Sequence, residues 1–114
     1  MVTDLNYLQK MTDNDSRMIR ATIELFLRQL AEMRSDFELL LANKNWLELS
    51  RLAHKIKSSA LVMGIEQMID EMKELELLAK EGKNVEKYPE YFARFNEMAD
   101  IVEAEMLMFL DTDD

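Results

Sequence analysis

Cysteine is absent from the 114-residue chain, which excludes disulfides, thiol nucleophiles and thiolate metal sites. Only one histidine, His54, is present, so zinc or copper centres built from several imidazoles are excluded too. No run of about eighteen apolar residues occurs, and a membrane-spanning helix is not expected. The start, Met1-Val2-Thr3-Asp4, lacks the basic and apolar segments of a secretory signal, which makes the cytoplasm the expected location. Basic charge is scarce: 14 Lys and Arg stand against 23 Asp and Glu, a net charge of −9. Such a field repels phosphate backbones and anionic lipid, so neither nucleic acid nor a membrane surface is an expected partner. A Gly-rich phosphate loop is also missing, which argues against ATP binding. Polar chemistry is left to carboxylates, lysines, hydroxyls and His54.

What is there is helical. Hydrophobic residues make up 48% and charged residues 32% of the chain, the balance of a single soluble globular domain. With two glycines and one proline, Gly64, Gly82 and Pro89 are the expected joints between helices. A short leading helix is expected over residues 4–11, followed by capping side chains at Asp13-Asn14-Asp15. Ile19, Ile23, Phe26, Leu27, Leu30, Met33, Phe37, Leu40 and Leu41 then recur at the three- and four-residue spacing of an amphipathic helix, with a bend expected near Arg34-Ser35. Asn45 caps a helix from Trp46 to Met63 that Gly64 closes. A third stripe runs through Ile65, Met68, Ile69, Met72, Leu75 and Ala79 to Gly82, and Tyr88-Pro89 opens the last helix. Period-two alternation and hairpin turns are missing. The predicted fold is all-α, an up-and-down four-helix bundle with a short N-terminal leading helix. One domain spans 1–114, with the bundle at about 13–110 and an acidic tail at 111–114. The ten methionines read as core fillers rather than as ligands.

On a helical wheel of residues 46–63, Leu49, Leu52, Ala53, Ile56, Ala60 and Met63 form the core stripe. His54 falls about 150° from its centre, on the face that should be wet. Leu47, Ser50, Lys57, Ser58 and Leu61 surround it at helical spacing. An exposed imidazole, a lysine at i+3, small side chains that leave access and an apolar rim describe a docking site around a nucleophile. The bland reading is equally simple: lone exposed leucines and a surface histidine are common. On the next helix Glu76 lies at the edge of the apolar stripe, where a carboxylate needs a partner. Lys73 and Lys80 on its own helix are candidates, and so is His54 across the helix pair. In the last case the carboxylate would hold Nδ1–H and leave Nε2 bare.

The stretch from Ala53 to Gly64, AHKIKSSALVMG, resembles the signature of histidine-containing phosphotransfer (HPt) domains at His54, Ile56, Lys57, Ser59, Ala60 and Gly64. Leu75-Glu76, Lys80 and Gly82 are similar to the family's Leu-Glu pair, basic residue and helix-ending glycine. Ser58 departs from the pattern, standing where the family usually has glycine and where a partner's surface comes close. The resemblance implies that His54 accepts a phosphoryl group from an aspartyl phosphate on a receiver domain and passes it to another receiver. It further implies that Lys57 supports the phosphoryl charge and Glu76 orients His54. Lys80 would be a weaker second basic contact, with Leu47, Ser50, Ser58 and Leu61 lining the partner surface. Receiver domains and a hybrid histidine kinase are the implied partners, and Mg2+ would sit on the receiver. The chain itself would need no cofactor and would act as a monomeric co-substrate rather than an enzyme.

Two other classes compete. A carboxylate-bridged di-metal bundle needs Glu-x-x-His twice, but Arg51 precedes the only histidine by three. A helical adaptor or pseudo-carrier would bind through Leu47 and Leu61 without being phosphorylated. Met1 and the acidic end favour a free-standing protein over a piece of a larger kinase.

Overall fold

The computed structural model describes residues 1–112. Five α-helices follow one another: α1 (Asn6–Met11), α2 (Ser16–Ala42), α3 (Trp46–Met63), α4 (Glu66–Glu81) and α5 (Tyr88–Thr112). No strand occurs among the described residues. The four long helices pack in a ring, α2 on α3, α3 on α4, α4 on α5 and α5 back on α2, and give a bundle measuring 46 × 21 × 19 Å. This is the expected all-α architecture, with α1 as its leading helix. No described helix is long and apolar enough to cross a membrane.

The joints follow from local chemistry. Asp15 caps α2, its side chain accepting from the backbone N–H of Arg17 at 2.9 Å and of Met18 at 3.2 Å, and so satisfies donors that the helix cannot. Asn45 serves α3 in the same way through the N–H of Glu48. Gly64 and Gly82 adopt left-handed conformations, φ 65° and 63°. In each case the following N–H returns to a carbonyl in the last turn, Ile65 to Ala60 and Lys83 to Leu78, both at 3.0 Å, the pattern that ends helices at glycine. A 3-10 turn at Val85–Lys87, with no distinct signal in the sequence, precedes α5. Tyr88 is fully buried there, and its hydroxyl donates to the Lys83 carbonyl at 2.6 Å.

Arg34 and Ser35 lie inside an uninterrupted α-helix. Asp111 and Thr112, expected in an acidic tail, continue α5, and the rest of that tail, 113–114, lies outside the described residues. Six of the ten methionines, at 33, 63, 68, 72, 98 and 106, are in the core, so packing accounts for most of them. Fully buried Phe37 packs against Phe92 and Phe95 in tilted pairs, with ring centroids 4.9 and 5.5 Å apart. Burying a Leu, Ile or Phe side chain stabilises by roughly 1.5–3 kcal/mol, and the α3 stripe of Leu49, Leu52, Ile56 and Met63 is buried throughout. That fixes the rotation of α3 and turns the opposite face, with His54, outward.

The N-terminal residues form a strap across the bundle. Asp4 N–H donates to the Met63 carbonyl at 3.0 Å. Val2 N–H, Thr3 N–H and the Thr3 hydroxyl all donate to the Glu105 carboxylate, at 2.8, 3.1 and 2.7 Å. Burial pushes the Glu105 carboxyl up, but these donors and the N-terminal ammonium outweigh it and hold the pKa below the usual value of 4.5.

Candidate functional site

α3 and α4 form a hairpin closed by Gly64, and their facing flanks bring together residues 22 apart in sequence. His54 Nδ1 lies 3.0 Å from Glu76 Oε2, and Lys57 Nζ donates to Glu76 Oε1 at 3.0 Å. The imidazole is 59% exposed, whereas Glu76 and Lys57 are only 25% and 22% exposed. The cluster therefore has a sheltered base and an open tip.

Electrostatics settle the proton on the ring. Burial pushes the Glu76 carboxyl up, but the hydrogen bonds from Lys57 and His54 together with their charges prevail, leaving its pKa below 4.5. At neutral pH Glu76 is ionised and can only accept, so Nδ1 must carry the hydrogen between them. In the neutral imidazole the pair of electrons then sits on Nε2, which has no hydrogen-bond partner among the described residues. A carboxylate that accepts from one ring nitrogen in this way sets the tautomer and orientation of a neutral histidine.

Of the partners considered for Glu76, His54 is present. Lys73 and Lys80 are both exposed on α4 and neither reaches it. The lysine that does is Lys57, the residue expected to support the charge of an incoming phosphoryl group. Leu47 and Leu61 are 53% and 52% exposed, flanking the histidine as expected. Ser58 is exposed, and its hydroxyl folds back onto the His54 carbonyl at 3.1 Å.

Ser50 is a correction. Expected on the accessible face, it is buried at 6% exposure and donates to the Glu76 carbonyl at 2.8 Å. The wheel of α3 places position 50 away from that helix's own stripe, but α4 lies over exactly that flank and covers it. Ser50 is therefore sheltered between the two helices and not on the exposed face.

Two features escaped the sequence. Leu77 on α4 is 62% exposed, an apolar side chain among charges. On the other flank of α3, a shallow groove of about 360 Å³ is lined by Leu39, Leu40 and Leu52 with Asp36, Glu48, Arg51 and Lys55 around them. Its signal, an unburied Leu39 beside the α2 stripe, is legible only once the register of α2 against α3 is known. No group of three or more His, Asp or Glu side chains among the described residues is placed to hold a metal ion.

Comparison with curated proteins and with solved structures finds no match. Comparison with family models finds one described as Hpt domain, matching residues 21–105. That span contains all of α3 and α4, the three-residue cluster included, and most of the flanking helices. The match covers well over half of the chain and includes the face on which His54 is exposed, and the chain belongs to the Hpt domain family.

Proposed function

We propose that His54 is the phosphoacceptor and that Nε2 is the atom that attacks. As an Hpt domain the chain is a phosphotransfer carrier of two-component systems and not a kinase. In the proposed step, Nε2 attacks the phosphorus of an aspartyl phosphate on a receiver domain. The N–P bond forms as the P–O bond to the carboxyl group breaks, and the electron pair leaves with the aspartate carboxylate. The reverse reaction on a second receiver discharges the histidine. Such a transfer asks for positioning and charge stabilisation more than for covalent chemistry. Glu76 holds Nδ1–H and stabilises the positive charge the ring gains as Nε2 is phosphorylated. Lys57 keeps the Glu76 carboxylate ionised and supplies positive charge one helical turn from the incoming group. Mg2+ belongs to the receiver in this scheme. Leu47, Leu61 and Ser58 form the contact surface, with Lys80 at its margin. Carrier and receivers meet in the cytoplasm, the carrier as a monomer charged by way of a hybrid histidine kinase.

The observation that carries the proposal is the exposed imidazole whose Nδ1 is bound by an ionised carboxylate. The test is incubation with a panel of phosphorylated receivers, following label that is acid-labile and base-stable. Label is expected on the wild type and absent from His54→Gln. Equal labelling of the variant would overturn the assignment, and receiver binding without label would identify an adaptor instead.

A further inference from the structure

Every side-chain hydrogen bond that crosses between α3 and α4 among the described residues ends on Glu76. His54 and Lys57 take its two carboxylate oxygens, and Ser50 takes its main-chain carbonyl. The three α3 residues stand at i, i+4 and i+7, so successive turns of one helix edge hold a single residue of the other. The two kinds of contact do different things. The carboxylate contacts depend on the Glu76 side chain, which has several rotatable bonds. The Ser50 contact acts on the backbone that carries it and fixes how far along α3, and how close to it, the Cα of residue 76 sits. Productive geometry at a site tolerates displacements of only about 0.5 Å, and a carboxylate 3.0 Å from two nitrogens at once has little slack.

We infer that Ser50 is a positioning residue: by anchoring the Glu76 main chain to α3, it sets the carboxylate where it fixes the His54 tautomer. Burial of Ser50 at 6% exposure is what makes the contact persistent, because water does not compete freely for a sheltered hydroxyl. The remaining main-chain architecture does not depend on it. The Glu76 carbonyl lies within α4, where the helix supplies a donor of its own, and alanine is the strongest helix former. Removing the hydroxyl therefore loosens the anchor without leaving the carbonyl unpaired. The inference rests on the proposed role of the His54 and Glu76 pair, but its first readout does not involve phosphoryl transfer.

The experiment measures the ring nitrogens of His54 by NMR in the full chain at neutral pH, with thermal melting in parallel. Wild type is expected to be mainly the Nδ1–H tautomer. In Ser50→Ala the ratio of that tautomer to Nε2–H should fall about two- to fivefold, the equilibrium effect of one modest hydrogen bond, and Ser50→Thr, which keeps the donor, should restore it. Phosphoryl transfer by Ser50→Ala should slow by a similar factor. A folded Ser50→Ala with the wild-type tautomer ratio would overturn the inference, whatever its melting temperature. Loss of the tautomer preference in Ser50→Ala alongside a wild type that accepts no phosphate would uphold the positioning role and remove the carrier reading instead.

Discussion

Glu76 is the residue on which the site turns, and its chemistry is testable through stability. Its pKa lies below 4.5 in the folded chain, so the native state binds its proton less readily than the unfolded chain does. Stability from this group is fully present above pH 4.5 and is lost as pH falls through the depressed native value. Wild type should therefore be more stable than Glu76→Gln at neutral pH, by about 1–3 kcal/mol for two charge-assisted hydrogen bonds partly open to solvent. The gap should close well below pH 4.5. Urea melts of both proteins across that range check this, and a gap independent of pH would mean the carboxylate is not held by His54 and Lys57. The residue types of the site were legible in the sequence: one histidine outside its own core stripe, and a glutamate at the edge of another. The bond between His54 and Glu76 was one of the alternatives the sequence offered, but the bonds of Lys57 and Ser50 to Glu76 were not legible. A wheel drawn for one helix knows only that helix's stripe, so Lys57 faced solvent and Ser50 looked accessible until α4 was in place.

Elements were the most legible scale, because capping chemistry is local. Asp15, Asn45, Gly64 and Gly82 each act within a turn of their own position, and a chain poor in breakers leaves few other places to stop. The strap was hidden for the opposite reason: its partners lie about sixty residues away at Met63 and about a hundred away at Glu105. This difference separates the two glycines. Both have positive φ, which costs a residue with a Cβ roughly 1 kcal/mol. At Gly82 an added Cβ would meet only Trp46 Cδ1, at 3.7 Å, an ordinary contact. At Gly64 it would run into the Asp4 main-chain carbonyl and lie 2.7 Å from the Asp4 Cβ. Gly82→Ala should cost about 1 kcal/mol, and Gly64→Ala should cost roughly 2–4 kcal/mol because overpacking adds to the backbone term. Denaturant melts of the two variants give the comparison, and amide exchange should show the Asp4 N–H losing protection in Gly64→Ala alone. Equal losses would mean that the strap does not rest on Gly64.

Across the whole molecule, the strap and the site occupy different parts of α3. Gly64 lies ten residues beyond His54 in the sequence, about 15 Å along a helix axis, and Glu105 reaches the strap from α5. The net charge of −9 opposes compaction throughout, and no Lys or Arg follows Arg94, so the acidic end of α5 has to be offset by donors from elsewhere. Glu105 meets that need with two main-chain N–H groups and a hydroxyl of the strap. Replacing it with alanine would leave the Thr3 hydroxyl, on a residue only 7% exposed, without its acceptor, a loss of about 1–3 kcal/mol. Because the Glu105 carboxyl is also held below 4.5, that stabilisation should be complete above pH 4.5 and fade under more acidic conditions. Glu105→Ala should therefore melt several degrees lower than wild type at neutral pH. At a temperature where both proteins are fully folded, it should take up phosphoryl label at the wild-type rate, since nothing in the strap touches His54, Lys57 or Glu76. Slowed transfer in a fully folded Glu105→Ala would show that the strap reaches the site through α3, and the division between a fastening end and a working face would fail.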